Sequence, residues 1–179
     1  MKRLFGVALL VSLTVPAVAR AQEPGSGPVA GALKAALQRA IRAMPGAAEL
    51  MPAEKFGFKP TPEQMSFGEI LAHEAQSNET LCGAIAGLAQ TPSESAAGAT
   101  APKEQLVERL RKSFDYCGNV IGQLNEATLG DSVPFFGGRK ATRARAAIAL
   151  AQDWADHYAQ AAMYLRANGI LPPTARPRS

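Results

Sequence analysis

The sequence predicts an all-α protein built as a four-helix bundle. Four segments space their apolar residues three and four apart, the period of a helix that buries one face. No segment shows the alternation expected of a half-buried strand. Stretches rich in Pro, Gly and Ser separate the four segments and supply the turns of a bundle. The chain has 179 residues, 47% hydrophobic and 19% charged, which suits one globular domain with its own core. Only 6% are aromatic, so Ala, Leu and Ile must form most of that core.

Residues 1–21 read as a secretory signal peptide. Lys2 and Arg3 give a positive start, and residues 4–18 form an apolar run too short to span comfortably as a permanent helix. Ala19-Arg20-Ala21 is a small-x-small cleavage site, which sets the mature start at Gln22. No cysteine stands there to take a lipid. The expectation is export, by the style of the signal into a bacterial periplasm, with no stable membrane insertion after cleavage. Residues 22–28 form a Gly/Pro/Ser-rich lead-in, residues 29–173 the bundle and residues 174–179 a tail.

The first helix is expected over residues 29–50, where Leu33, Leu37, Ile41 and Met44 form its stripe. Pro45-Gly46 predicts a kink or break near its end. A turn-rich connection covers residues 52–62. The second helix is expected over residues 66–88, with Phe67, Ile70, Leu71, Leu81, Ile85 and Leu88 on one stripe. Residues 90–102 read as an exposed linker. The third helix, residues 103–126, carries Leu106, Leu110, Phe114, Cys117, Ile121 and Leu124 at steps of three and four. Residues 129–138 read as a loop holding Phe135, Phe136 and Gly137-Gly138. The fourth helix, residues 140–168, is expected to line its apolar face with Ala147, Leu150, Ala151, Trp154, Tyr158, Ala161 and Leu165. Asn168-Gly169 stops it, and Pro172-Pro173 forbids continuation.

Charge excludes one class of partner. The net charge of +4 includes Lys2, Arg3 and Arg20, and without them 16 basic residues face 15 acidic ones. A near-neutral mature chain has no electrostatic footprint for nucleic acid. The only cysteines are Cys82 and Cys117, an even count in an oxidising compartment. They read either as a disulfide between neighbouring helices or as two buried thiols. A zinc site made of cysteine is not expected without a CxxC spacing.

Two histidines stand out as candidate metal ligands. His73 lies at the edge of the second helix's stripe and His157 at the edge of the fourth's, with Asp153 one turn before His157. Residues four apart stack on one helix face, so Asp153 and His157 can aim at one point. If that face meets the second helix, His73 completes a two-imidazole, one-carboxylate set that suits Zn²⁺ and equally non-haem iron. The competing reading is a pair of ordinary structural histidines. Glu74 and Asn78 occupy stripe positions of the second helix where an apolar residue is expected, so they either line the site or face an opening or a helix end. Gln160 and Tyr164 share the fourth-helix side of Asp153 and His157 and are further pocket candidates.

Several phrases carry a family resemblance. They are Met51-Pro52-Ala53-Glu54-Lys55-Phe56, Phe58-Lys59-Pro60-Thr61-Pro62 and Ser66-Phe67-Gly68-Glu69-Ile70-Leu71-Ala72-His73. Later come Ser113-Phe114-Asp115-Tyr116-Cys117, Asp153-Trp154-Ala155-Asp156-His157-Tyr158-Ala159-Gln160, Tyr164-Leu165-Arg166 and Gly169-Ile170-Leu171-Pro172-Pro173. In this order, over residues 51–173, the chain resembles the DinB-like (damage-inducible) superfamily of metal-binding four-helix bundles. The resemblance implies one metal-binding His on the second helix and an H-x-x-x-H pair on the fourth. His73 and His157 match, while Asp153 stands where the pair's first His is usual.

A carboxylate there still suits Zn, Ni, Mn or Fe as the divalent cofactor, with a lower site charge. It also suits a lapsed site in which Asp153 only orients a histidine. The resemblance further implies thiol-dependent transferases or isomerases in which the metal lowers a thiol's pKa. An exported chain meets few reduced cytosolic thiols, which argues against a direct carry-over. Metal-assisted hydrolysis of a small-molecule substrate is the second enzymatic reading, and a non-catalytic binding module is the third. A pocket between the second and fourth helices, beside Phe135 and Phe136, is expected for an enzyme. A homodimer fits the resemblance, although no seam stands out.

Overall fold

The computed structural model describes residues 23–88 and 101–177. The signal peptide expected at 1–21 and most of the linker expected at 90–102 lie outside the described residues. Four helices form the body: α1 (Pro28–Leu50), α2 (Phe67–Ala86), α3 (Lys103–Gly122) and α4 (Arg143–Ala167). α1 and α2 each pack against α3 and α4, so α1 and α2 sit on one diagonal and α3 and α4 on the other.

Hydrogen bonds fix the directions. Lys103 Nζ donates to the carbonyls of Glu49 and Met51 at the end of α1, while Gly25 N–H donates to Leu124 O beside its start, so α1 and α3 run antiparallel. Cys82–Cys117 and Asn78–Ser113 step together along α2 and α3, which are therefore parallel. Arg143 reaches Ile85 O, and Tyr164 reaches Met65 O, so α2 and α4 are antiparallel. The order is up-down-down-up.

Local sequence explains most boundaries. Ser66 and Glu69 form a reciprocal capping box at the start of α2, and Gly87 closes it in the left-handed region at φ 78°. Leu88 therefore falls beyond the helix and is 56% exposed rather than on the stripe. Thr142 accepts the Arg145 N–H at the start of α4. The α1 start has no side-chain cap of its own. The Glu126 carboxylate, 96 residues away, accepts the Ala30 N–H at 2.9 Å instead. A Cβ on Gly27 would lie 1.9 Å from Glu126 Cδ, so only glycine lets that carboxylate in.

Three expectations need correction. α1 does not break at Pro45 but continues to Leu50. Pro45 is buried there, and Pro173 of the C-terminal turn packs on Gly46, so tertiary contact offsets the missing hydrogen bond. α3 ends at Gly122, before the predicted 126, and Glu126–Thr128 forms a separate 3-10 turn. The predicted loop and first residues of the fourth helix contain a hairpin, β1 (Ser132–Pro134) with β2 (Lys140–Thr142) antiparallel. Three-residue strands are too short to show alternation. Gly137 and Gly138, both at positive φ, make the turn.

The core is apolar and rich in alanine. Leu33, Leu37 and Met44 of α1 meet Leu106, Leu110, Phe114 and Ile121 of α3 in one buried cluster with Phe67, Leu71, Ile85, Leu150 and Leu165. Cys82 and Cys117 are bridged across α2 and α3, with Cα atoms 5.4 Å apart. That cross-link fits an extracytoplasmic protein. No described helix is long and apolar enough to cross a membrane.

Candidate metal centre

α2 and α4 are neighbours, and their facing sides bring together the three residues singled out in the sequence. His73, Asp153 and His157 each offer a ligand atom, and these atoms lie within 4.8 Å of one another. The imidazole rings sit 4.8 Å apart between centroids. Donors sharing one ion at bonds of about 2.0–2.2 Å stand roughly 3–4.4 Å apart, so small side-chain rotations would close the group. His73 is exposed, Asp153 half-buried and His157 buried, so the group opens outward on the His73 side. Asp153 Oδ2 is buried and has no hydrogen-bond donor of good geometry among the described residues. An orphaned carboxylate oxygen beside two imidazoles is what a cation site requires.

Glu74 extends the group inward. It is fully buried, and its Oε2 lies 3.2 Å from His157 Nδ1. The same nitrogen is 3.0 Å from the Asp153 carbonyl oxygen and 3.4 Å from Asp153 Oδ2. The electrostatics follow from this crowding. Burial pushes the Glu74 carboxyl up to about 7, outweighing the pull of His157. Burial pulls His157 down, but the carboxylates of Asp153 and Glu74 outweigh it and raise the ring to about 10. His73 is lowered, first by burial and then by the charge of His157.

The remaining pocket candidates have other surroundings. Asn78, one turn further along α2 from Glu74, is fully buried in the core. Its Oδ1 accepts from Trp154 Nε1 at 2.6 Å, and its Nδ2 donates to Ser113 Oγ at 3.0 Å. Tyr164 is buried, donates its hydroxyl to Met65 O at 2.8 Å and sets its ring edge-on to Phe58. Gln160 is half-buried and makes no hydrogen bond to the trio. Phe135 and Phe136 belong to the hairpin, where the two rings pack on each other at 4.8 Å. Sequence reading missed the Trp154–Asn78–Ser113 chain. The only signal for it was a polar residue on the α2 stripe, which says that a partner is needed and not which one.

Residues 36–161 match the family model of the DinB superfamily. The chain belongs to that superfamily. No curated protein matches the sequence. Among solved structures, a DinB-like protein from Bacillus cereus ATCC 10987 aligns with a TM-score of 0.67 at 11% identity, over 83% of this chain and 97% of that one. The mycothiol-dependent maleylpyruvate isomerase aligns with a TM-score of 0.63 at 15% identity, over 77% of this chain and 62% of the enzyme. A His-to-Ala variant of the same isomerase gives the same TM-score at 16% identity. At such identities the likeness to these structures shows a shared fold. This DinB-superfamily chain covers only about three-fifths of the isomerase, so that enzyme has parts with no counterpart here.

Proposed function

We propose that this chain is an exported DinB-superfamily protein that holds one divalent metal ion with His73, Asp153 and His157. The observation that carries the reading is the convergence of three donors from two neighbouring helices to within 4.8 Å. Zn²⁺, Ni²⁺, Mn²⁺ and Fe²⁺ all accept two imidazoles and a carboxylate. Bound there, such an ion supplies Lewis-acid activation to a substrate oxygen or sulfur. The chain's own residues set the conditions. Asp153 adds a negative charge that a third imidazole would not. His157 is sheltered among packed side chains, so water is excluded from the inner side. His73 stands at the exposed edge, where a small-molecule substrate would approach.

Export rests on the signal-like residues 1–21, and the Cys82–Cys117 bridge fits it. The fold shared with a mycothiol-dependent isomerase favours a thiol-dependent use of the centre, while export, which keeps the chain from reduced cytosolic thiols, weighs against carrying that chemistry over directly. Hydrolysis would need the same donors. A non-catalytic bundle with a lapsed site is the second reading. The observation favouring it is Asp153, which already stands beside His157 as a partner.

Elemental mass spectrometry of mature protein from Gln22, purified without chelator or affinity metal, tests the proposal. Near-stoichiometric metal in the wild type, lost in His157→Ala, is expected. No metal after incubation with Zn²⁺, Ni²⁺, Mn²⁺ and Fe²⁺ would overturn it.

A further inference from the structure

We propose that Glu74 is the positioning residue of this centre: it accepts the Nδ1–H of His157 and so presents Nε2 of that ring to the ion. The inference rests on the metal reading above and assigns a role to a residue outside the three-donor group. Glu74 is 0% exposed and sits on α2 between buried Leu71, Ala75 and Asn78. Neither of its oxygens has a hydrogen bond of good geometry among the described residues, and Oε2 stands 3.2 Å from His157 Nδ1. A carboxylate kept out of water with one neighbour of opposite sign needs a reason to be there.

The competing acceptors are accounted for. The Asp153 carbonyl already takes the α-helical N–H four residues on, so its 3.0 Å approach to Nδ1 is a shared contact. The Asp153 carboxylate belongs to the donor set. Glu74, outside that set, has no other hydrogen-bond donor of good geometry among the described residues. Three oxygens crowd Nδ1, so in the metal-loaded centre that nitrogen keeps its proton and Nε2 is left to face the ion. A metal-binding imidazole commonly gives its second N–H to a carboxylate, which fixes both tautomer and ring orientation. Here that carboxylate comes from the helix across the site, next in sequence to another candidate ligand. The residue after His73 thus aims His157, and one helix turn of α2 serves both ends of the centre.

Glu74→Gln tests this, because the amide keeps the shape and can still accept the proton while losing the charge. Zn²⁺ is titrated calorimetrically into mature wild type and variant, and Co²⁺ is followed by its visible bands. The expected result is Zn²⁺ affinity about 10- to 100-fold weaker in the variant. Its helical circular dichroism and Co²⁺ band positions should match the wild type, because the ligands are the same. Equal affinity in the two proteins would overturn the positioning role and leave the metal site standing. Displaced Co²⁺ bands would make Glu74 a ligand and also overturn it. A wild type that binds no Zn²⁺ overturns both readings. If Glu74→Gln fails to fold, long-range ¹H–¹⁵N spectra of Zn²⁺-loaded wild type decide. A proton on Nδ1 of His157 is expected, and a proton on Nε2 overturns the proposal.

Discussion

Asn78→Ala is the substitution that best separates fold from site. Asn78 lies on the same helix as His73 and Glu74, but its amide is spent inside the core on Trp154 and Ser113. Truncation strands the Trp154 indole N–H, and a buried donor without a partner costs about 1–3 kcal/mol. Ser113 keeps its bond to the Leu110 carbonyl at 2.7 Å, so its loss is a single net hydrogen bond of about 1 kcal/mol. The void left by the amide adds about 1 kcal/mol. The expected destabilisation is therefore roughly 3–5 kcal/mol, a large share of a typical 5–15 kcal/mol total.

At about 2–4 °C per kcal/mol the thermal midpoint should fall by about 10 °C. Urea unfolding followed by circular dichroism gives the free energy. Repeating Asn78→Ala in a Trp154→Phe background should shrink the effect by more than about 1 kcal/mol, because the stranded donor is gone. The metal content of the folded variant should match the wild type. A loss under about 1 kcal/mol would refute the ledger. A stable variant with reduced metal would return Asn78 to the metal centre.

Two further outcomes are expected. Replacing Cys82 and Cys117 by alanine should cost about 3–4 kcal/mol on the loop-closure model for a 35-residue separation, read as a lower urea midpoint; free thiols in freshly isolated protein would refute the bridge. The metal-free protein should lose stability as pH rises. His157 is raised from 6.5 to about 10, so its contribution is complete below about pH 6.5 and is lost towards pH 10. Glu74 is raised from 4.5 to about 7, so its contribution is complete below about pH 4.5 and is lost through pH 7. His73 is lowered and acts in the opposite sense below about pH 6.5, so a thermal midpoint of chelator-treated protein that stays flat or climbs between about pH 6.5 and 9 would refute both assignments.

The helices were legible because burial leaves a periodic trace. Every stripe residue named for α3, from Leu106 to Leu124, is buried. Periodicity places a residue around a helix axis but does not say what faces it. Glu74 and Asn78 looked alike on paper, two polar residues one turn apart on one stripe. The structure sends the first to His157 and the second to Trp154, and that difference lies in α4 rather than in α2. Tyr164 shows the same limit: it shares a side with His157 but lies seven residues on, about 10 Å along the axis, where it meets Met65. The hairpin was illegible because three-residue strands leave no pattern. Pro45 does not break α1, because a local rule lost to the packing of Pro173 on Gly46.

The Glu126 contact at the α1 start has a consequence for the order in which the molecule can be completed. A chain made from its N-terminus carries α1 through synthesis of almost a hundred further residues before that carboxylate exists. Until then the first turn of α1 has open amides, and the strip it offers to α4 has nothing to bind. Among the described helices α1 is thus the first to emerge and among the last to be latched.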